Sequence, residues 1–254
     1  MNKQDLKEFL EAKVHQYNHP GFLADDPISV PHNFEQKEDI EISAFLTATI
    51  AWGNRKSIIR SAKRMMDIMD WEPYNFVKNY KPSDSVKFAG YVHRTFNEED
   101  LKYFVISLQN VYTNHGGLEA IFSLHKNDNN LQAAISVFKK RFFELNHPKR
   151  STKHISDPLK GSAAKRINMF LRWMVRDNSQ GVDFGLWMEI KPSQLSCPLD
   201  VHSGRVARKL GLLHRQQNDA KAVMELDASL RKLDPADPVK YDFALFGLGV
   251  FEKF

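Results

Sequence analysis

Residues 159–176 read Leu-Lys-Gly-Ser-Ala-Ala-Lys-Arg-Ile-Asn-Met-Phe-Leu-Arg-Trp-Met-Val-Arg, a glycine-containing turn placed directly ahead of a basic amphipathic helix. Such a turn exposes backbone N–H groups beside a helix N-terminus, where open amides and the positive end of the dipole attract an anion. Lys160, Gly161, Ser162, Ala163 and Arg166 therefore outline a phosphate site, with Lys165 at its edge. Many helices begin this way, so the turn alone carries little. A second polar segment, Cys-Pro-Leu-Asp-Val-His-Ser-Gly-Arg-Val-Ala-Arg-Lys-Leu-Gly-Leu, occupies residues 197–212. Here Asp200 stands just before a helix whose inner face is Val206 and Leu210, and the commonest role of an aspartate there is N-capping. Together the two segments hold an amine able to form a Schiff base and a carboxylate able to stabilise a cation or move a proton.

The elements that must position these groups are helices. Apolar spacing of three and four recurs along the chain, and few stretches alternate with the two-residue period of a half-buried strand. Leu101, Phe104, Val105, Leu108, Val111 and Tyr112 form one stripe, with Asn97 and Asp100 placed as a capping pair ahead of it. Ile167, Phe170, Leu171 and Met174 form another. Val223, Leu226, Leu230 and Leu233 continue the pattern, and Tyr241, Ala244, Leu245 and Leu248 finish it, in a helix opened by Asp237 as cap and Pro238 as first residue. The segment from Phe45 to Met69 predicts an apolar helix, a break at Trp52-Gly53-Asn54, and a basic helix carrying Arg55, Lys56, Arg60, Lys63 and Arg64. Pro and Gly punctuate the joints, and a polar, basic link around residues 146–158 is the best candidate for a lobe boundary.

Composition narrows the function classes. With 254 residues and 42 % hydrophobic content the chain can bury a proper core. Its single cysteine, Cys197, excludes an internal disulfide framework and a four-thiolate iron–sulfur cluster. No cofactor is expected. No metal is implied either, because the ten histidines show no pair at ligand spacing beside acidic or sulfur partners. The start, Met1 to Tyr17, is charged and helical in pattern, which predicts a soluble, cytoplasmic protein with no membrane partner. Net charge is +5, yet residues 139–176 hold eleven Lys and Arg against Glu144 and Asp157 alone, +9 locally and −4 for the remainder. A surface that neutralises nucleic-acid phosphates requires such an asymmetry; a solvated basic face would show it too.

The two polar segments together resemble the helix-hairpin-helix superfamily that includes endonuclease III and the 8-oxoguanine glycosylases. In that superfamily a hairpin of the type Leu-Pro-Gly-Val-Gly-x-Lys leads into the helix bearing the catalytic lysine, and Leu159, Gly161 and Lys165 sit at matching spacing. A second signature, Val-Asp-x-His followed by x-x-Arg-Val-x-x-Arg, is similar to Leu199, Asp200, Val201, His202, Arg205, Val206 and Arg208. The strong match covers roughly the last two-fifths of the chain. Two departures stand out. Ala163 occupies the position of the hairpin's second glycine, at a cost of about 1 kcal/mol if a positive φ is needed there. Asp200 lies 35 residues after Lys165, which implies an insertion containing Val182, Phe184, Leu186 and Trp187. A long spacer of this kind is similar to that of the archaeal 8-oxoguanine glycosylases.

The resemblance implies an all-α, two-lobed glycosylase-like fold over residues 1–254, with the catalytic segment at about 155–212 and helices 217–254 packed back on the N-terminal part. It implies Lys165 as nucleophile and Asp200 as its carboxylate partner in base excision with an abasic-site lyase step, acting as a monomer on double-stranded DNA held across the cleft, nucleoid-associated when bound, with 8-oxoguanine as the lesion. The damaged base must leave the stack and enter a pocket. Asp242 and Phe246, four residues apart on the last helix, look like the base-reading pair of the 8-oxoguanine enzymes, or are a solvated polar residue and a packing residue. Asn54 or Arg55 would fill the gap left by the flipped base, and Trp52 is a pocket wall or an ordinary core residue. His202 is read as structural with a lesser claim to a phosphate contact, and Arg205 as a DNA contact. The alternatives are a monofunctional glycosylase that uses water and Asp200 alone, a helix-hairpin-helix DNA-binding protein with no activity, and an all-helical, basic interaction protein in which the hairpin resemblance is accidental.

Overall fold

The computed structural model describes residues 2–254. Among the described residues eleven α-helices run in chain order: α1 (Lys3–Tyr17), α2 (Lys37–Thr49), α3 (Arg55–Ile68), α4 (Pro73–Asn79), α5 (Glu98–Asn114), α6 (Leu118–Ser123), α7 (Gln132–Phe142), α8 (Lys165–Val175), α9 (Val201–Lys209), α10 (Ala220–Leu233) and α11 (Tyr241–Val250). Among the described residues the only sheet is one antiparallel pair, β1 (Val92–His93) with β2 (Phe96–Asn97). The fold is thus all-α in class. No described helix is long and apolar enough to cross a membrane.

The chain divides into two compact units: the residues through Phe22 with 126–133 and 157–254, and the residues 23–125 with 134–156. In the first unit, α1 lays Leu10 and Val14 on a core made by Cys197, Leu199, Val206 and Ala207, by Val223, Leu226 and Leu230 of α10, and by Tyr241, Leu245 and Leu248 of α11. Helix α11 is buried on almost every side, and its small residues permit that. A Cβ on Gly247 would lie 2.1 Å from the Tyr17 ring, and one on Gly249 would lie 3.1 Å from His202 Cβ. Two glycines therefore let α1 and α9 approach the α11 backbone, and the α9 contact falls two residues after Asp200.

The second unit is built on stacked and edge-on phenylalanines. Phe45 of α2 meets Phe104, Phe138 and Phe142 at centroid distances of 5.3–6.0 Å, and Phe104 meets Phe96 at 5.2 Å. Helix α5 opens with the expected reciprocal cap: Asn97 accepts from the Asp100 amide and Asp100 from the Asn97 amide. The buried Asp100 carboxylate also takes Ser151 Oγ and Arg150, at 2.7 Å each. Its folded acidity is set by competition: burial raises its pKa, and the His154, Ser151 and Asn97 hydrogen bonds outweigh it, leaving it at about 2.

Two local expectations are corrected. The last α-helix begins at Tyr241, after a 3-10 turn over Pro238–Lys240, and Asp237 turns its carboxylate to Arg176 instead of capping. The polar link before α8 holds two short 3-10 segments, Lys149–His154 and Pro158–Lys160. Besides Gly161, the left-handed residue in the turn that follows is Ala164 (φ +46°), one position after Ala163, which stands where the hairpin has its second glycine. Ala163 itself does not take a positive φ; it is buried in the first unit's core, and its carbonyl accepts Asn168 Nδ2.

Candidate active site

Three hydrogen bonds and one left-handed glycine make the turn that presents Lys165. The Asp157 carboxylate accepts the Leu159 amide at 3.0 Å and Gly161 turns at φ +89°, where an added Cβ would meet nothing within 4 Å. Ser162 Oγ then accepts the Ala164 amide at 3.1 Å, and the Gly161 carbonyl accepts the Ala220 amide at 3.1 Å, pinning the turn to the start of α10. Because the N-cap is an alanine, α8 begins without a capping side chain. Its first-turn amides keep the anion preference expected of an uncapped N-terminus. Lys160 and Gly161 are exposed, Ser162 half-buried and Ala163 buried. Arg166 is half-buried, and desolvation lowers its pKa to about 10.

Lys165 is the first residue of α8, and its Nζ lies 3.8 Å from Asp200 Oδ2. Both side chains retain access to solvent, at 30 % and 21 %. Asp200 is the N-cap of α9, and its two oxygens divide the work. Oδ1 accepts the His202 amide at 2.8 Å and the Ser203 amide at 3.0 Å, while Oδ2 faces Lys165. Ser203 Oγ returns the cap by accepting the Asp200 amide at 2.9 Å, and Asn218 Nδ2 donates to the Asp200 carbonyl at 2.8 Å. Capping and chemistry are therefore compatible in one residue, because each uses a different oxygen.

A third carboxylate stands behind this pair. Asp242 is buried on α11, with Oδ2 2.6 Å from Arg172 and Oδ1 3.7 Å from the Cys197 thiol. Burial leaves the Asp242 carboxyl above its ordinary value, with Asp200 adding to that and Arg172 and Lys165 only partly offsetting it. Arg172 continues to Asp183 at 3.2 Å, and Asp183 is shared with Arg176, which also holds Asp237. Phe243 closes the cluster, with the Arg172 guanidinium 4.3 Å from its ring centroid. Cys197 is fully enclosed, its thiol pushed well up by desolvation. Its amide donates to Asp227, whose own burial lifts that carboxyl to about 6.

The structure thus brings Lys165, Asp200 and Asp242 together in the first unit. Phe246, on the same helix as Asp242, is half-buried and meets Phe22 and Phe251 edge-on at 6.1 and 6.4 Å. The reading of Asp242 as a solvated residue is excluded by its burial. His202 is exposed, and Arg205 is exposed and donates to the Gly249 carbonyl at 2.9 Å. Trp52, Asn54 and Arg55 belong to the second unit. There Trp52 is half-buried, edge-on to His93 at 5.4 Å and stacked over His154 at 6.1 Å; Asn54 is exposed and caps α3 through the Ser57 amide; and Arg55 is half-buried. Sequence reasoning missed Arg172, Asp183 and Arg176. The signal was present: Lys165, Asn168, Arg172 and Arg176 recur at intervals of three and four, a polar stripe in a helix otherwise buried from Ile167 to Val175. Among the described residues no group of three or more His, Cys, Asp or Glu is placed to hold a metal ion.

No curated protein and no solved structure matches this chain. A model of a family described as proteins of unknown function, DUF2400, matches residues 26–251, which is most of the sequence, and the chain belongs to that family.

Proposed function

We propose that this protein is a DNA glycosylase with an associated abasic-site lyase step, acting on double-stranded DNA that contains a damaged base, with 8-oxoguanine as the lesion to test first. The observation that carries the reading is the 3.8 Å approach of a partly exposed lysine amine to a partly exposed carboxylate, each at the N-terminal end of its own helix. A structural ion pair needs no opening to solvent, whereas a nucleophile must reach its substrate.

In the reaction, the Lys165 amine gives up a proton, for which Asp200 Oδ2 is the nearby acceptor, and attacks the deoxyribose C1′. The N–C1′ bond forms as the glycosidic C1′–N bond breaks, and the bonding pair leaves with the base, which takes up a proton. Positive charge on the sugar is greatest between these events, and the Asp200 carboxylate stabilises it. Ring opening gives the Schiff base. Loss of a 2′ proton then expels the 3′ phosphate by β-elimination and cuts the strand. The α8 N-terminus with exposed Lys160 and Gly161 offers the adjoining anion site for the backbone phosphate.

The test is borohydride trapping on duplex DNA carrying a single 8-oxoguanine, with Lys165→Ala beside the wild type. A covalent adduct that disappears in the variant is expected. Base release that persists without any adduct would convert the reading to a monofunctional glycosylase. Salt-sensitive binding with neither product would convert it to a DNA-binding protein.

A further inference from the structure

The polar stripe on α8 has its reactive end at Lys165, and its other members are buried. Arg172 is 4 % exposed, two turns along the same face. Its guanidinium is fixed on three sides: NH1 to Asp242 at 2.6 Å, Nε to Asp183 at 3.2 Å, and its face against Phe243 at 4.3 Å. Asp183 is itself held by Arg176, which reaches Asp237 ahead of α11. About one turn at the end of α8 thus grips both Asp242 and the approach to its helix. Such planar, multidentate fixation suits arginine and not lysine, because a point charge cannot hold two carboxylates and a ring in one geometry.

The other oxygen of Asp242 meets the Cys197 thiol at 3.7 Å. A carboxylate this deeply buried would take a proton if unpaired, and would then donate as well as accept. Lys165, Asp200, Arg172 and Cys197 are the charged and titratable groups that act on it, and Arg172 is the one in direct ionic contact. We propose that Arg172 is a positioning residue that holds Asp242 as an ionised, acceptor-only carboxylate behind Lys165, so that the ligand edge accepted there is one presenting N–H donors, as the edge of a nucleobase does. This rests on the glycosylase reading for the identity of the ligand. The clamp itself rests on the geometry alone.

The experiment compares wild type, Arg172→Gln, Arg172→Lys and Asp242→Asn in two assays and one spectrum. Single-turnover excision of 8-oxoguanine requires a base to be read, whereas borohydride trapping on DNA with a preformed abasic site requires Lys165 but no base. In Arg172→Gln, excision is expected to fall at least 100-fold while abasic-site trapping stays within about threefold of wild type. Arg172→Lys, which restores charge without the fork, is expected to recover excision only in part. The carboxyl carbon resonance of Asp242, assigned by its loss in Asp242→Asn, is expected at a carboxylate position in the wild type at pH 7 and at a protonated position in Arg172→Gln. Equal excision by Arg172→Gln, a parallel loss of trapping and excision, or an unchanged Asp242 resonance would each overturn the clamp. A wild type that neither excises nor traps would overturn the glycosylase reading and the base-recognition role with it, while the resonance would still decide whether Arg172 holds Asp242 ionised.

Discussion

Asp200 shows how one side chain can cap a helix and still face the proposed nucleophile, two readings that a sequence presents as rivals. Its Oδ1 closes the N-terminus of α9 and its Oδ2 meets Lys165, so the two roles separate by substitution. Asparagine caps a helix nearly as well as aspartate, whereas alanine costs about 1 kcal/mol at an N-cap. Asp200→Asn should therefore leave the urea midpoint close to wild type and still lose catalysis, by about 10²–10⁴-fold if the carboxylate moves a proton or stabilises the cation. Asp200→Ala should lose both. Retention of full excision by Asp200→Asn, measured in single turnover, would reduce the residue to a cap. The pairing of Lys165 with Asp200 was legible in the sequence because each lies in a segment with its own signature. The pairing of Arg172 with Asp242 was not, since the two are 70 residues apart and the polar stripe on α8 does not say which distant carboxylate it meets.

The turn before α8 is the element on which the site depends, and its local rules were only partly readable. Gly161 announced a left-handed turn and makes one, at φ +89°. Ala164 did not announce its φ of +46°, because an alanine in that region is held by its surroundings: Asn168 bonded to the Ala163 carbonyl, and Ser162 bonded to the Ala164 amide. The same tertiary override explains α11. Asp237 and Pro238 carry a sound helix-start pattern, but the ion pair with Arg176 recruits Asp237, and the proline begins a 3-10 turn. The Asn97–Asp100 box formed as read because its bonds are confined to four consecutive residues. Gly161 yields a prediction free of packing effects, since an added Cβ would occupy open space. Gly161→Ala should lower stability by about 1 kcal/mol through backbone strain alone, and Gly161→Asn by less, because asparagine tolerates the left-handed region. Equal loss in both variants by urea denaturation would show that the position is closed by contacts absent from this conformation.

At the scale of the whole molecule, the basic segment that first suggested a nucleic-acid partner is less uniform than its count. Of the eleven Lys and Arg between 139 and 176, the structure turns several inward: Lys139 donates to the Thr152 and Ile155 carbonyls, Arg150 to Asn97 and Asp100, and Arg172 and Arg176 to the buried carboxylates. Lys140, Lys149, Lys153 and Lys160 remain exposed. A sequence cannot distinguish these groups, because the carbonyls and carboxylates that recruit the inward ones lie on other turns and other helices. The distinction matters for affinity, since each phosphate neutralised contributes about 0.9 to the slope of log K against log salt on duplex DNA. Lys160→Ala, beside the proposed phosphate site, should weaken duplex binding for lesion-bearing and undamaged DNA alike and flatten the slope by about 1, with little change in stability. Lys139→Ala should leave the slope unchanged and cost stability, because two carbonyl acceptors lose their donor, about 1–3 kcal/mol for a buried group left unpaired. Fluorescence anisotropy between 50 and 200 mM salt, read together with urea denaturation, tests both at once. Equal slopes for Lys160→Ala and wild type would remove the α8 turn from the DNA-binding surface, and a flattened slope for Lys139→Ala would show that its inward bonds open when DNA is bound.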